Sequence, residues 1–447
     1  MIEREVPASR AIVIHPATRE QAGRAEARLT EACGLAEALD LVLADSFILP
    51  MRKIEPGRFF GAGKVEDIKQ QITESEATVA VLDTALTPVQ QRNLERAWNV
   101  KVIDRTGLIL EIFGQRARTK EGVLQVELAR LAYERSRLVR TWTHLERQRG
   151  GRGFLAGPGE TQIETDRRLL AEKMSKLRRQ LDDVRRTRAL HRSKRDAVPY
   201  PTIALVGYTN AGKSTLFNRL TGADVLAKDM PFATLDPTVR ALRLPNGQPV
   251  LLSDTVGFIT DLPTELIAAF RATLEEVREA DLLVHVIDAS DPDHEGRIKD
   301  VESVLDAIEA GRAHDQTQID VWNKIDALDM EDDADFDTLA HIRSLTVHKP
   351  DHFSVSAVTG QGLETLLDAL AEGLDGAVEM LAVDLPPQAA RAHAWLHANG
   401  EVIDDTIDPD TGHFVGRFRL TPADMGRFRA EFPDYIDPLP VKAPYED

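Results

Sequence analysis

Thr202-Ile-Ala-Leu-Val206 runs directly into Gly207-Tyr-Thr-Asn-Ala-Gly212-Lys213-Ser214-Thr215, and the join between the two decides the fold. The first stretch is apolar and β-branched, as suits a strand buried on both faces. The second is a glycine loop that opens a helical pattern, Lys213 to Leu220. Strand, glycine loop, helix is the context of a phosphate-binding loop. Its glycines let the backbone N–H groups of Gly207, Tyr208, Thr209, Asn210, Ala211 and Gly212 converge on phosphates, where a helix N-terminus also favours negative charge. Lys213 is expected to reach the β- and γ-phosphates, and Ser214 to ligate Mg²⁺, with Thr215 continuing the loop into the helix.

Downstream, Asp254-Thr255-Val256-Gly257 ends a second buried run, Val250-Leu-Leu-Ser253. A strand-end aspartate can hold Mg²⁺ directly or through water. Gly257 leaves an N–H free for the γ-phosphate. Between the two lies Phe232-Ala233-Thr234-Leu235-Asp236, in which Thr234 is the candidate second hydroxyl on Mg²⁺. Ser214, Thr234 and Asp254 are thus the expected metal set, and Lys213, Thr234 and Gly257 the expected catalytic contacts.

Asn323-Lys324-Ile325-Asp326 follows another strand-like run, Gln318-Ile-Asp-Val-Trp322. Guanine presents a ring N–H and an amine on one edge, and the Asp326 carboxylate can accept both. Adenine offers no such donor pair, and mismatches of this kind discriminate by about 10⁴-fold. Asn323 is expected to brace the loop and the Lys324 stem to cover the base. Ser356-Ala357-Val358 follows His352-Phe-Ser-Val355 and offers backbone N–H groups to the guanine oxygen, and Thr359-Gly-Gln-Gly362-Leu supplies a turn and a helix start. In order and spacing these segments form a GTP/GDP switch.

The residues resemble the translation-factor-related GTPases and, within the Obg-HflX group, the HflX family. The closer likeness lies in Phe232-Ala-Thr-Leu-Asp-Pro-Thr238, Asp254-Thr-Val-Gly-Phe258, the run Leu262 to Glu276, Gly157-Pro-Gly-Glu-Thr-Gln-Ile-Glu-Thr-Asp-Arg-Arg168 and Gly61-Ala-Gly-Lys64-Val-Glu-Asp67. It spans roughly residues 10 to 370. The resemblance implies a GTPase that binds the large ribosomal subunit and its rRNA and helps split or rescue stalled ribosomes under stress.

The net charge of −18 argues against nucleic acid, but the charge is uneven. Residues 116–195 hold 22 Lys and Arg against 10 Asp and Glu, a net of +12 that leaves −30 for the rest. An acidic body with one basic arm can bind RNA locally and stay soluble. The single cysteine, Cys33, excludes an intramolecular disulfide and fits a reducing cytosol. The charged N-terminus lacks a signal-peptide core, and no apolar run reaches membrane-span length. A cytoplasmic, monomeric protein without membrane insertion is expected.

The expected class is α/β. A P-loop GTPase domain at 197–376 is preceded by an N-terminal α/β domain at 1–115 and a basic antiparallel helical hairpin with a Gly-rich tip at 116–196. A small α+β domain at 377–447 follows. In the first domain Ala11–Ile14, Thr78–Leu82 and Val100–Ile103 read as strands, Arg19–Leu39 and Val89–Ala97 as helices. Gly61-Ala-Gly63-Lys64 reads as a turn, because it lacks phosphate-loop spacing. Leu124, Leu128, Leu131, Leu138, Trp142 and Leu145 mark one helix face. Leu170, Met174, Leu177, Leu181 and Val184 form a heptad stripe opposite it. At the tip, Arg147, Arg149 and Arg152 suit phosphates and Phe154 a stacked base. Asp326–Asp337 reads as a solvated loop. His393 and His397 stand four apart, as metal ligands can, but without a nearby Glu motif or Cys they read as surface histidines.

Many GTPases place a water-orienting glutamine after Asp-x-x-Gly. Phe258 stands there, so slow intrinsic hydrolysis completed by a partner is expected. Asn210 matches a position used by potassium-activated GTPases, where K⁺ supplies positive charge. Two other classes stay open: a GTP-gated scaffold for a protein or membrane partner, and an RNA-dependent ATPase using the N-terminal domain.

Overall fold

The computed structural model describes residues 9–146, 158–193, 200–223, 231–328 (without 233, 236 and 261–270), 333–375, 379–409, 411–420 and 422–435. Three sheets organise the described residues. The first is wholly parallel, in the order β2-β1-β3-β4, with β1 at Arg10–Ala17, β2 at Val42–Pro50, β3 at Val79–Leu82 and β4 at Lys101–Asp104. Helices α1 (Ala25–Glu37), α2 (Ala62–Glu74), α3 (Pro88–Trp98) and α4 (Arg105–Arg116) connect and cover it. Such crossovers are what parallel pairing requires. Thr87 starts α3 with a capping box to Gln90, and Pro88 sits at the first helical position, where its missing N–H costs nothing.

Two readings of this region change. Arg19–Arg24 is a 3₁₀ turn, and the α-helix begins only at Ala25. Gly61 is the N-cap of α2, so the glycine pair read as a turn instead opens a helix. Val65, Ile68 and Ile72 bury its inner face, and that burial outweighs the intrinsic cost of Gly63 in the first turn.

The long helices α5 (Lys120–Glu146) and α6 (Pro158–Ser193) pack through Leu124 and Leu131 against Met174, Leu177 and Leu181. The contacts join the start of α5 to the later part of α6, as in an antiparallel pair. The expected tip, with Arg147, Arg149, Arg152 and Phe154, lies outside the described residues, as do the side chains of Leu138, Trp142 and Leu145.

The second sheet has the order β10-β9-β8-β5-β7-β6. Its strands are β5 (Thr202–Gly207), β6 (Thr238–Arg243), β7 (Pro249–Asp254), β8 (Leu282–Asp288), β9 (Gln318–Asn323) and β10 (His352–Ser354). Among the described strands of this sheet, only β6 runs antiparallel, against β7. Among the described residues, helices α7 (Lys213–Thr221), α8 (Arg271–Arg278), α9 (His294–Ala307), α10 (Asp333–His348) and α11 (Leu363–Asp375) belong to this unit. The acidic stretch read as a loop through Asp337 is already helical from Asp333. Strand β5 lies between β7 and β8, so its carboxyl end opens where the chain changes direction across the sheet, the usual ligand position of such folds.

The third sheet is antiparallel, β11-β13-β12, from Glu379–Leu385, Phe414–Leu420 and Glu401–Ile407. Helices α12 (Ala390–Asn399) and α13 (Pro422–Glu431) cover one face around Phe418 and Phe428. Among the described residues no helix is long and apolar enough to cross a membrane.

One apolar cluster is continuous between the first two sheets. It runs from Val13, Leu35 and Phe113 to Val206, Phe232, Phe258 and Ile259. Phe113 and Phe232 meet edge to face with centroids 4.5 Å apart, a geometry worth about 0.5–1.5 kcal/mol beyond area burial.

Candidate guanine-nucleotide site

Strand β5 delivers the glycine loop, and close approach explains each glycine. Gly207 has φ 147°, and a Cβ there would lie 2.3 Å from the Val286 carbonyl oxygen. Gly212 has φ 90°, and a Cβ there would lie 2.3 Å from Asn323 Nδ2. Lys213, buried, donates through Nζ to the carbonyls of Gly207 (3.0 Å) and Tyr208 (2.7 Å). Burial pushes its ammonium down to about 8, against the opposing pull of Asp254.

Three oxygens expected to share a cation do converge. Ser214 Oγ lies 2.7 Å from Asp254 Oδ2 and 2.8 Å from Thr234 Oγ1, and Thr234 Oγ1 lies 2.9 Å from Asp254 Oδ2. Asp254 Oδ1 is buried without a hydrogen-bond partner. Burial raises this carboxyl above its ordinary range, against the hydrogen bond from Ser214 and the charge of Lys213. Two hydroxyls, a buried carboxylate and an orphaned oxygen fit a hard divalent cation such as Mg²⁺. Thr255 turns away and donates to Leu205 O at 2.6 Å.

Gly257 approaches the loop so closely that a Cβ would meet Thr209 Cα at 2.9 Å and Lys213 Nζ at 3.1 Å. Next to it, Phe258 pairs its backbone with the loop: Thr209 N–H donates to Phe258 O (2.8 Å), and Phe258 N–H to Gly207 O (3.1 Å). The Phe258 ring is 1% exposed, inside the shared core, so it neither orients water nor reaches the phosphate side. Ala233 and Asp236 lie outside the described residues. Phe232 and Leu235 are buried in the same core and contribute packing.

The base-reading segments meet through Asn323. Its Nδ2 donates to Ala211 O (2.9 Å), and its Oδ1 accepts from Ala357 N–H (3.0 Å). The expected brace is therefore present, and it engages the N–H that was expected to meet the guanine oxygen. Ser356 N–H likewise serves the local turn, donating to Gln361 O at 3.0 Å. Lys324, at φ 64°, pairs with Asp288 at 2.8 Å, which holds its stem across the loop. Asp326, in the 3₁₀ turn Ile325–Ala327, and Val358 are exposed.

Sequence reading missed the charge network behind the loop. The Tyr208 phenol donates to Glu31 of α1 and lies 2.6 Å from Thr260 Oγ1, while Arg297 stacks over its ring at 4.0 Å. Buried Arg105 pairs with Glu31 and Asp83 and donates to the Thr260 carbonyl at 2.8 Å. Burial alone raises the Asp83 carboxyl, but Arg105, His15 and Arg28 outweigh it and hold it well below the usual range. Glu31 is lowered in the same way, Arg105 and Arg297 winning over burial. No local signal marks Glu31 or Arg105, since charged residues in helical patterns are ordinarily solvated.

Family models match four consecutive parts of the chain. They are described as GTP-binding GTPase N-terminal (residues 26–114), GTP-binding GTPase Middle Region (116–195), 50S ribosome-binding GTPase (202–324) and HflX C-terminal domain (342–430). The GTPase HflX of Magnetococcus marinus is 50% identical over 403 residues, covering 90% of each chain. That of Escherichia coli is 46% identical over 385 residues, covering 86% of this chain and 87% of its own. A solved GTP-binding protein of Sulfolobus solfataricus in complex with GDP is similar over 82% of this chain and 99% of that one, at 24% identity and a TM-score of 0.43. With four family models in register and near-half identity along almost the whole length, the chain belongs to the HflX family of GTPases.

Proposed function

We propose that this GTPase uses its nucleotide state to set its affinity for the large ribosomal subunit, and that it splits or rescues stalled ribosomes under stress. The observation that carries the reading is the surface of α6. Met174, Leu177 and Leu181 are consumed in pairing with α5, while Lys173, Lys176, Arg178, Arg179 and Arg186 are exposed on the outside. Such a rail is an electrostatic footprint for an RNA backbone. The match of residues 202–324 to a 50S ribosome-binding GTPase model supports the same partner.

In this reading Lys213 and the loop N–H groups hold the phosphates, and the Gly257 N–H meets the γ-phosphate. Mg²⁺, held by Ser214, Thr234 and Asp254, would neutralise phosphate charge there. Asp326 selects guanine. Intrinsic hydrolysis is slow because Phe258 faces the core, and ribosome binding completes the arrangement of the attacking water. GTP favours the ribosome-bound form, and GDP loosens it.

The experiment is steady-state GTP turnover with and without purified large subunits, in K⁺ buffer with Mg²⁺. Strong stimulation that disappears when Arg178 and Arg179 are reversed to glutamate is expected. Intact GTP binding without stimulation would overturn the reading and leave a GTP-gated scaffold.

A further inference from the structure

In the C-terminal domain, far in sequence from the nucleotide segments, three ligand atoms meet at one point. His393 and His397 stand four residues apart on α12, one above the other on a single face. Asp405 stands on β12. Its Oδ2 lies 2.9 Å from His393 Nε2 and 2.8 Å from His397 Nε2, and the two Nε2 atoms are 3.1 Å apart.

The chain builds this convergence rather than leaving it to loose side chains. A bulge between Val402 and Asp404 shifts the pairing of β12, so that Asp405 stands opposite Gly416 and Asp404 opposite Arg417. Residues directly opposite share a face. Gly416 and Phe418 are buried beneath the helices, whereas Arg417 is exposed and pairs with Asp404. The bulge therefore aims Asp405, not Asp404, at α12. The His393 ring is stacked on Phe414, with centroids 4.2 Å apart and planes at 16°, and His397 stands edge-on to Phe418 at 5.5 Å. The side chain of His393 is 18% exposed and that of His397 40%. The pair lies at the surface, as expected, but in a defined arrangement with Asp405.

Hydrogen bonding alone closes this triangle poorly. A neutral imidazole carries one N–H. One proton bridges one edge and leaves two lone-pair contacts. Two N–H groups aimed at Oδ2 satisfy two edges but set their hydrogens side by side. A cation satisfies all three edges. With bonds of about 2.0–2.1 Å, a tetrahedral ion spaces its ligands about 3.3 Å apart. The observed separations reach that with movements of a few tenths of an ångström. Asp405 Oδ1 is buried without a partner, a further acceptor that a second contact to the ion would use.

We propose that His393, His397 and Asp405 bind one divalent first-row transition cation of the zinc type, tying α12 to β12. Two imidazoles and one carboxylate suit Zn²⁺ and its neighbours, whereas Mg²⁺ and Ca²⁺ prefer all-oxygen sets. The His397 side chain is 40% exposed, so solvent reaches the ligand set.

The test uses the full-length protein, stripped with chelator and kept in excess Mg²⁺ and GDP so that the nucleotide site is filled. Zn²⁺ alone is titrated by calorimetry, and Co²⁺ serves as the spectroscopic probe. The wild type is expected to bind one Zn²⁺ and to show the intense visible bands of four-coordinate Co²⁺. His397→Ala is expected to weaken Zn²⁺ at least about tenfold and to lose those bands. His397 is partly exposed, so far-UV circular dichroism and GTP turnover should match the wild type. If His397→Ala is misfolded, His397→Gln answers the same question. Equal Zn²⁺ affinity and stoichiometry in wild type and variant, or no Zn²⁺ binding by the wild type, would overturn the site.

Discussion

Tyr208, the second residue of the phosphate loop, donates its phenolic hydrogen bond to the carboxylate of Glu31, 177 residues earlier in the chain. The backbone of one residue thus faces the nucleotide side while its side chain is tied to another domain. Glu31 also balances Arg105 and Arg297. Removing one partner from a buried pair leaves the other charge uncompensated. Glu31→Ala is therefore expected to cost about 3–5 kcal/mol of stability, read from denaturant unfolding. A loss below about 1 kcal/mol would mean that water reaches the cluster.

Acid should attack the same cluster. Asp83 and Glu31 are both held below their ordinary values in the folded protein. A carboxylate depressed by folding stabilises above its unfolded pKa of about 4, and that stability is lost as pH falls towards the folded value. One strongly depressed carboxylate contributes about 2–3 kcal/mol in this way. The melting temperature should be flat from neutral pH to about 5 and fall steeply below about 4. Arg105→Leu should be less stable at neutral pH and show a shallower acid slope. A parallel slope would place the acid-sensitive groups elsewhere.

At Gly257 the approach to Thr209 and Lys213 leaves no room for a methyl group. Gly257→Ala is expected to fold, because the crowding can be relieved by backing the segment off the loop. That retreat displaces the N–H meant for the γ-phosphate. Turnover should fall on the order of 10²-fold, the scale of an ångström-sized misplacement, with GDP affinity nearly unchanged. Wild-type turnover would show that this N–H does not contribute.

Asn210 is an exposed residue at φ 64° in the loop. If its side chain helps hold K⁺, turnover in K⁺ should exceed that in Na⁺ by about tenfold or more, and Asn210→Ala should erase the difference. Equal rates in the two buffers would leave Asn210 as a residue that only shapes the turn.

The local structure of the segments expected to bind nucleotide was legible because their signals are short-range. Glycines at close approaches, a lysine and hydroxyl at fixed spacing, and an aspartate at a strand end each carry a short-range signature. Strand β5 and helix α7 fell where the pattern put them, and so did the turn at Gly360–Gly362 and the apolar stripe of α6. What stayed hidden depends on long-range partners. Nothing near Glu31 or Arg105 in sequence marks them as partners, because only the fold brings them together. The convergence of Asp405 on His393 and His397 stayed hidden because it runs through a bulge on another strand. Asn323 was read as a brace, but its claim on the Ala357 N–H depends on a segment 34 residues away. Gly61 misled for the opposite reason, since a local breaker signal was overridden by the buried face of α2.

The apolar cluster that passes from Leu35 and Phe113 to Phe232 and Phe258 bears on how this chain can be divided. A cut between residues 116 and 200 would not release two finished modules. Each fragment would carry half of a shared interior as a wet, adhesive wound, and the second would bear it beside its own phosphate loop. Deletion variants lacking the N-terminal domain therefore report on a repaired or damaged enzyme as much as on a liberated one. The two sheets are also bound to change together, since a larger side chain at Phe113 must be answered at Phe232.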